Sequence, residues 1–210
     1  MKSITRKPRK NALEGDGPIV DRARQALHQI AAQFGEVSHR GRTRALVTTS
    51  DGIDLVLEYE PGNYVFSRVY NLRIKTTLPS DTAVPAGLGV SYRGADAPAF
   101  VSEAGLGKPR GEVRAPVAER TAPTAVIDAL NTIVRDHLRG VDLVSSRVEI
   151  EGGRRVLHLT PMGGSFVWVL IPPIFKATAF PSGEPGRILE LVRALRGFTI
   201  AATTPKGHHA

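Results

Sequence analysis

The sequence predicts an α+β protein: two tandem helix-plus-antiparallel-meander (α-β-β-β) units followed by a closing C-terminal helix. Two observations carry the class. Apolar residues recur at three- and four-residue steps in two segments, each stopped by a glycine, Gly35 in the first and Gly140 in the second. Behind each stop, short alternating runs are separated by glycine turns. A third observation relates the halves: the two stops are 105 residues apart, Gly52 and Gly152 are 100 apart, and so are Pro61 and Pro161. One helix on a small meander encloses little core, whereas two such units can share one, so the repeated order reads as an internal duplication.

Pro18 suits a first helical position, and Ile19, Val20, Ala23, Leu27, Ile30, Ala31 and Phe34 make one apolar stripe behind it. Residues 43–50 are β-rich, and Asp51-Gly52 is a hairpin signal. In the next run Ile53, Leu55, Leu57 and Tyr59 face one side, with Asp54, Glu58 and Glu60 on the other. Pro61-Gly62-Asn63 reads as a turn, 64–77 as a long strand and 88–92 as a fourth. Residues 94–123 lose periodicity under repeated Gly and Pro and read as a linker or extended edge segment. The second helix starts at Pro123 and carries Val126, Ile127, Leu130, Val134 and Leu138. Strands follow at 141–150, 154–160 and 165–171, divided by turns at 151–153 and 161–164, and a last helix spans about 185–196 before Gly197. The resulting division is a flexible basic arm (1–17), a first unit (18–102), a Gly/Pro-rich linker (103–122), a second unit (123–200) and a flexible tail (201–210).

Charge is unevenly placed along the 210 residues. The formal excess is +8, and Lys2, Arg6, Lys7, Arg9 and Lys10 supply five of those charges with no acid among residues 1–10. The rest of the chain is therefore close to neutral, and a nucleic-acid reading would lean on the arm. No run reaches the ~20 apolar residues of a membrane-spanning helix, and the longest candidate, 166–175, is broken by Pro172 and Pro173. The basic start has no apolar stretch behind it, which points to a cytoplasmic protein. The absence of cysteine removes thiol nucleophiles, disulfides and thiolate metal sites together.

Motif by motif, catalytic signatures fail. Gly105-Leu106-Gly107-Lys108 lacks the upstream glycine of a phosphate loop and has Pro109 where Ser or Thr belongs. Gly87-Leu88-Gly89 lacks the third glycine of a dinucleotide fingerprint, and Gly163-Gly164-Ser165 lacks the trailing glycine of a nucleophile elbow. Glu58 and Glu60 share a strand face, but it is the solvated one, where neither would acquire a raised pKa. None of the histidines shows close ligand spacing apart from His208-His209 in the polar tail, so neither metal nor cofactor is expected. His28, His137 and His158 remain as bases only for a site assembled from loops at the junction of the halves.

Two surfaces stand out for binding. Arg40, Arg42 and Arg44 are spaced by two, so an extended chain presents them on one face, which Arg73 and Lys75 would continue on a neighbouring strand. The run from Phe166 through Trp168 to Ile171 is apolar on both faces; it reads as core, with Trp168, Phe166 and Tyr70 as contact area if a face stays uncovered.

The C-terminal stretch GRRVLHLTPMGGSFVWVLIPPIFKATAF, followed by ILELVRALRGF, resembles the end of a bacterial protein family of unknown function. That resemblance implies a bacterial, cytoplasmic protein and transfers no functional residue. The reading is a non-enzymatic binding or protein-interaction module, acting on a protein partner or as a homo-oligomer. The alternative is an anion or nucleic-acid binder using the arm and the arginine stripe, with affinity that falls steeply with salt.

Overall fold

The computed structural model describes residues 13–64, 67–103, 123–169 and 174–199. Helix α1 (Pro18–Ala31) opens with Pro18 in its first turn and buries Ala23, Ala26, Leu27, Ile30 and Ala31, the stripe its spacing predicts. Six strands follow: β1 (Glu36–Arg40), β2 (Arg44–Thr48), β3 (Asp54–Tyr64), β4 (Ser67–Thr77), β5 (Leu88–Ser91) and β6 (Ala99–Ser102). Then come α2 (Thr124–Arg139), β7 (Leu143–Glu151), β8 (Arg154–Pro161), β9 (Phe166–Val169), β10 (Ile174–Ala177) and α3 (Glu184–Arg196). The protein is α+β and mostly β. No described helix is long and apolar enough to cross a membrane.

All ten strands join one sheet, in the order β1-β2-β3-β4-β8-β7-β5-β6, and every pairing is antiparallel. The sheet forks at β4. One stretch of that strand, Ile74 to Thr77, pairs with Leu159 to Val156 of β8; the other, Ser67 to Tyr70, pairs with Val169 to Phe166 of β9. The strands β8 and β9 thus run along the same edge of β4, and β10 extends the β9 branch.

The residues between them, 162–165, leave the sheet and are fixed from both sides. The Ser165 hydroxyl accepts a hydrogen bond from the Leu72 N–H at 3.3 Å, and the Tyr59 hydroxyl donates to the Gly164 carbonyl at 2.9 Å. Gly164 has φ +76°, and a Cβ there would lie 2.6 Å from Leu72 and 2.9 Å from Phe180. Only glycine fits that backbone conformation and that space. Phe180 in turn meets Phe34 edge-on at 5.6 Å, linking the excursion to the end of α1.

One face of the sheet packs on all three helices. Ala45, Val47, Leu55, Leu57, Leu72, Ile74, Val148, Leu157 and Leu159 point there, against Leu27 and Ile30 of α1, Leu130 and Val134 of α2, and Ile188, Leu191 and Leu195 of α3. The edge strand β6 is held by a polar clasp: the Asn131 amide of α2 accepts from the Phe100 N–H at 2.7 Å and donates to its carbonyl at 2.9 Å. Arg193 of α3 reaches Asp51 in the β2–β3 turn at 2.7 Å.

Several expectations change. Pro61-Gly62-Asn63 is not a turn but strand, paired with Tyr70, Val69 and Arg68. The reason is positional: β2 stops pairing with β3 at Glu58, so Pro61 lies on a free edge where a missing N–H costs nothing. Two strands were not predicted, β1, whose residues are almost all exposed, and β10, beyond the Pro-containing exit; β6 is an edge strand in the segment read as a linker or extended edge segment. The halves do not form two separate meanders, because β5 of the first pairs with β7 of the second and β4 with β8 and β9. The arm is shorter than 17 residues: Leu13 is fully buried, and the Leu13 and Gly15 carbonyls accept from the Arg24 guanidinium at 2.7 and 2.6 Å. Residues 1–12, with the five arm cations, and the expected tail lie outside the described residues.

Candidate functional site on the helix-free sheet face

Because strand side chains alternate, the residues between the core positions point to the opposite face, where none of the three helices lays its apolar stripe. Cross-strand register names them. Arg44 opposes Glu58, Glu58 opposes Arg73, Lys75 opposes His158, and His158 opposes Arg147. At the far end Glu149 opposes Val156, and Glu151 opposes Arg154. Directly opposed residues share a face, so the pairing chain from β2 to β7 builds one surface.

Its charges neutralise one another locally. Lys75 Nζ lies 2.9 Å from Glu58 Oε1, and Arg73 lies 3.9 Å from the same carboxylate and also pairs with Glu60. These side chains are only 20–34% exposed, so the pairs are held between their neighbours rather than floating in solvent. Of the charged residues that the register of β2, β3, β4, β8 and β7 places on this face, five are basic (Arg44, Arg73, Lys75, Arg147, Arg154) and five acidic (Asp54, Glu58, Glu60, Glu149, Glu151).

Glu149, Glu151 and His158 converge around the turn between β7 and β8. The His158 side chain is 9% exposed, and its Nε2 lies 3.1 Å from Glu151 Oε1 and 4.0 Å from Glu149 Oε2. That nitrogen is sealed from solvent and makes no hydrogen bond, the near carboxylate being out of line. Burial pushes the His158 pKa below its ordinary value, against the upward pull of Glu149 and Glu151; Lys75 and Arg73 add to the downward push. Beside the cluster an open groove of ≈ 510 Å³ runs between Lys75, Glu151, Arg154 and Arg196, with Val56 and Val156 among its walls.

The residues singled out from sequence are distributed differently. Arg40 ends β1 and Arg44 begins β2, with Arg42 in the connection, so the chain reverses inside the supposed stripe. Arg42 pairs with Asp16, whereas Arg73 and Lys75 are answered by Glu58 and Glu60. Trp168 lies on the helix-bearing side, partly buried against the core; Phe166 and Tyr70 are core residues with rings 6.1 Å apart. His28 approaches the Gly41 carbonyl at 3.3 Å, tying α1 to the β1–β2 connection, and His137 sits in the last turn of α2. Of the three, only His158 enters a cluster of titratable groups. Glu149 and Glu151 were missed, although their i, i+2 spacing beside Gly152-Gly153 is the available signal: a strand face entering a hairpin that returns at His158.

No curated protein and no solved structure matches the chain. A family model does, over residues 32–199, far beyond the C-terminal segment that suggested a resemblance. The sheet, the helices α2 and α3 and the charged face thus lie within a shared sequence pattern, and the chain belongs to the family described as protein of unknown function (DUF3156).

Proposed function

We propose that this protein is a non-enzymatic interaction module of the bacterial cytoplasm that pairs with a second copy of itself through the helix-free face of the sheet. The observation that carries this reading is the charge balance of that face across β2, β3, β4, β8 and β7, five bases against five acids, of which Glu58, Glu60, Arg73 and Lys75 are partly buried. A surface of that kind is its own electrostatic complement under a two-fold rotation. It is a poor partner for a polyanion, which needs an unpaired excess of Lys and Arg. The repeated order of helix, hairpin and further strands in the two halves also supports an origin by duplication, in which a self-associating unit became one chain.

Native mass spectrometry and light scattering of the full chain test the reading. The expected result is a dimer at low ionic strength that dissociates as salt rises, and that the double substitution R44E and R154E abolishes while the fold is retained. A monomer at every concentration and salt would overturn it. So would binding of a DNA duplex that falls steeply with salt and survives deletion of residues 1–10.

A further inference from the structure

The hairpin formed by β7 and β8 carries a feature that self-association does not account for. A buried ring nitrogen in a folded protein nearly always has a hydrogen-bond partner. His158 Nε2 has none, is closed off from water, and lies 3.1 and 4.0 Å from two carboxylates of the adjacent strand. A cation seated among the three groups would meet a ring nitrogen and two carboxylate oxygens, all of them donors it can use.

We propose that Glu149, Glu151 and His158 form a binding site for a divalent transition-metal ion, with the imidazole Nε2 and one oxygen of each carboxylate as its protein ligands. The geometry fits. Two donors each ~2.1 Å from a common ion and at right angles stand ~3.0 Å apart, and wider angles separate them further. The observed spacings from Nε2 are 3.1 Å to Glu151 and 4.0 Å to Glu149, and all three donor atoms lie within 4.8 Å of one another. One nitrogen and two oxygens make a mixed donor set that suits Zn²⁺, Mn²⁺ or Fe²⁺ better than a soft ion.

The surrounding cations do not cancel the site. Lys75 and Arg73 face His158 from β4, but Glu58 and Glu60 hold their charge. Arg147, opposite His158 on β7, and Arg154, opposite Glu151, balance the two carboxylates in number, but among the described residues neither arginine forms an ion pair with them. Both carboxylates are about half exposed, so the ion has an entry path and open coordination positions on the solvent side.

The site shares Glu149 and Glu151 with the face proposed for self-association, but its test reads ion binding and so is decided separately from the oligomeric state. Isothermal titration of the full chain with Zn²⁺ and, separately, Mn²⁺ tests it, in a background carrying H208A and H209A so that the terminal histidine pair cannot contribute. One ion per chain is expected, with a raised melting temperature. The E149Q/E151Q double variant, whose side chains sit at a half-exposed turn, is expected to retain its fold and lose at least ~10-fold in affinity, the size that losses of outer-shell partners already reach. H158Q should lose as much, and H39A, on exposed β1, should lose nothing. Absence of binding by either ion, or binding indifferent to E149Q/E151Q, would overturn the proposal even if the protein proves dimeric.

Discussion

Leu57 and Glu58 are neighbours in β3, yet they belong to different physical regimes. Leu57 is sealed in carbon on the helix-covered face, while Glu58 on the opposite face is shared between Lys75 and Arg73. The first side chain contributes by leaving water, an interaction that any carbon of the right volume supplies. The second contributes little to stability, because its Coulomb gain is offset by partial desolvation, but it determines which surfaces the face will accept. Stability and recognition are thus separated by one step along the same strand.

The largest break in that contrast comes from truncation in the covered face. L57A removes a fully buried side chain and is expected to cost about 2–5 kcal/mol in a urea titration. Next is G164A, where φ is +76° and the new methyl meets Leu72 and Phe180; a loss of about 1–3 kcal/mol is expected. G52A sharpens it, since Gly52 has φ +78° but open space around it, so that backbone strain acts alone at about 1 kcal/mol. On the helix-free face, E58Q is expected to shift stability by less than about 1 kcal/mol in the same titration, while disrupting self-association.

The smallest effect is pH-dependent and sits where the β2–β3 turn meets α3. The Arg193 guanidinium, with help from Thr49, holds the Asp51 carboxyl well below the usual carboxylate range. A depressed folded-state pKa contributes stability above the unfolded value, ~3.9, and that contribution fades as pH falls below it. The melting-temperature difference between the protein and D51N is therefore expected to be present at pH 6 and to shrink below pH ~3.9. A difference that grows on acidification would reject the assignment of this pair.

The sequence carried the parts of the fold that local chemistry dictates. Asp51-Gly52 and Gly152-Gly153 announce their hairpins because positive φ is needed there, and the three helices announce theirs through apolar spacing. What it did not carry was decided at a distance. Pro61 reads as a turn until one knows that β3 has a free edge beside it, and β1 has no alternating pattern because little of it is buried. The candidate site was hidden for a related reason. His158 reads as one of three candidate bases with nothing to set it apart from His28 and His137, and its loss of water depends on β4 and β7 closing on either side.

The forked pairing of β4 has a consequence for synthesis. Its open edge is filled by β8 and β9, whose paired residues follow by about 80 to 100 positions: Ile74 waits for Leu159, and Tyr70 for Phe166. At ribosomal rates of ~5–20 residues per second, that is on the order of ten seconds. During this interval the nascent chain displays an unpaired strand between Tyr70 and Ile74 with its apolar face exposed, a template for pairing with another nascent chain. The completed molecule hides this strand at its centre, so the hazard belongs to the ribosome-bound chain, and a chaperone would meet the protein there.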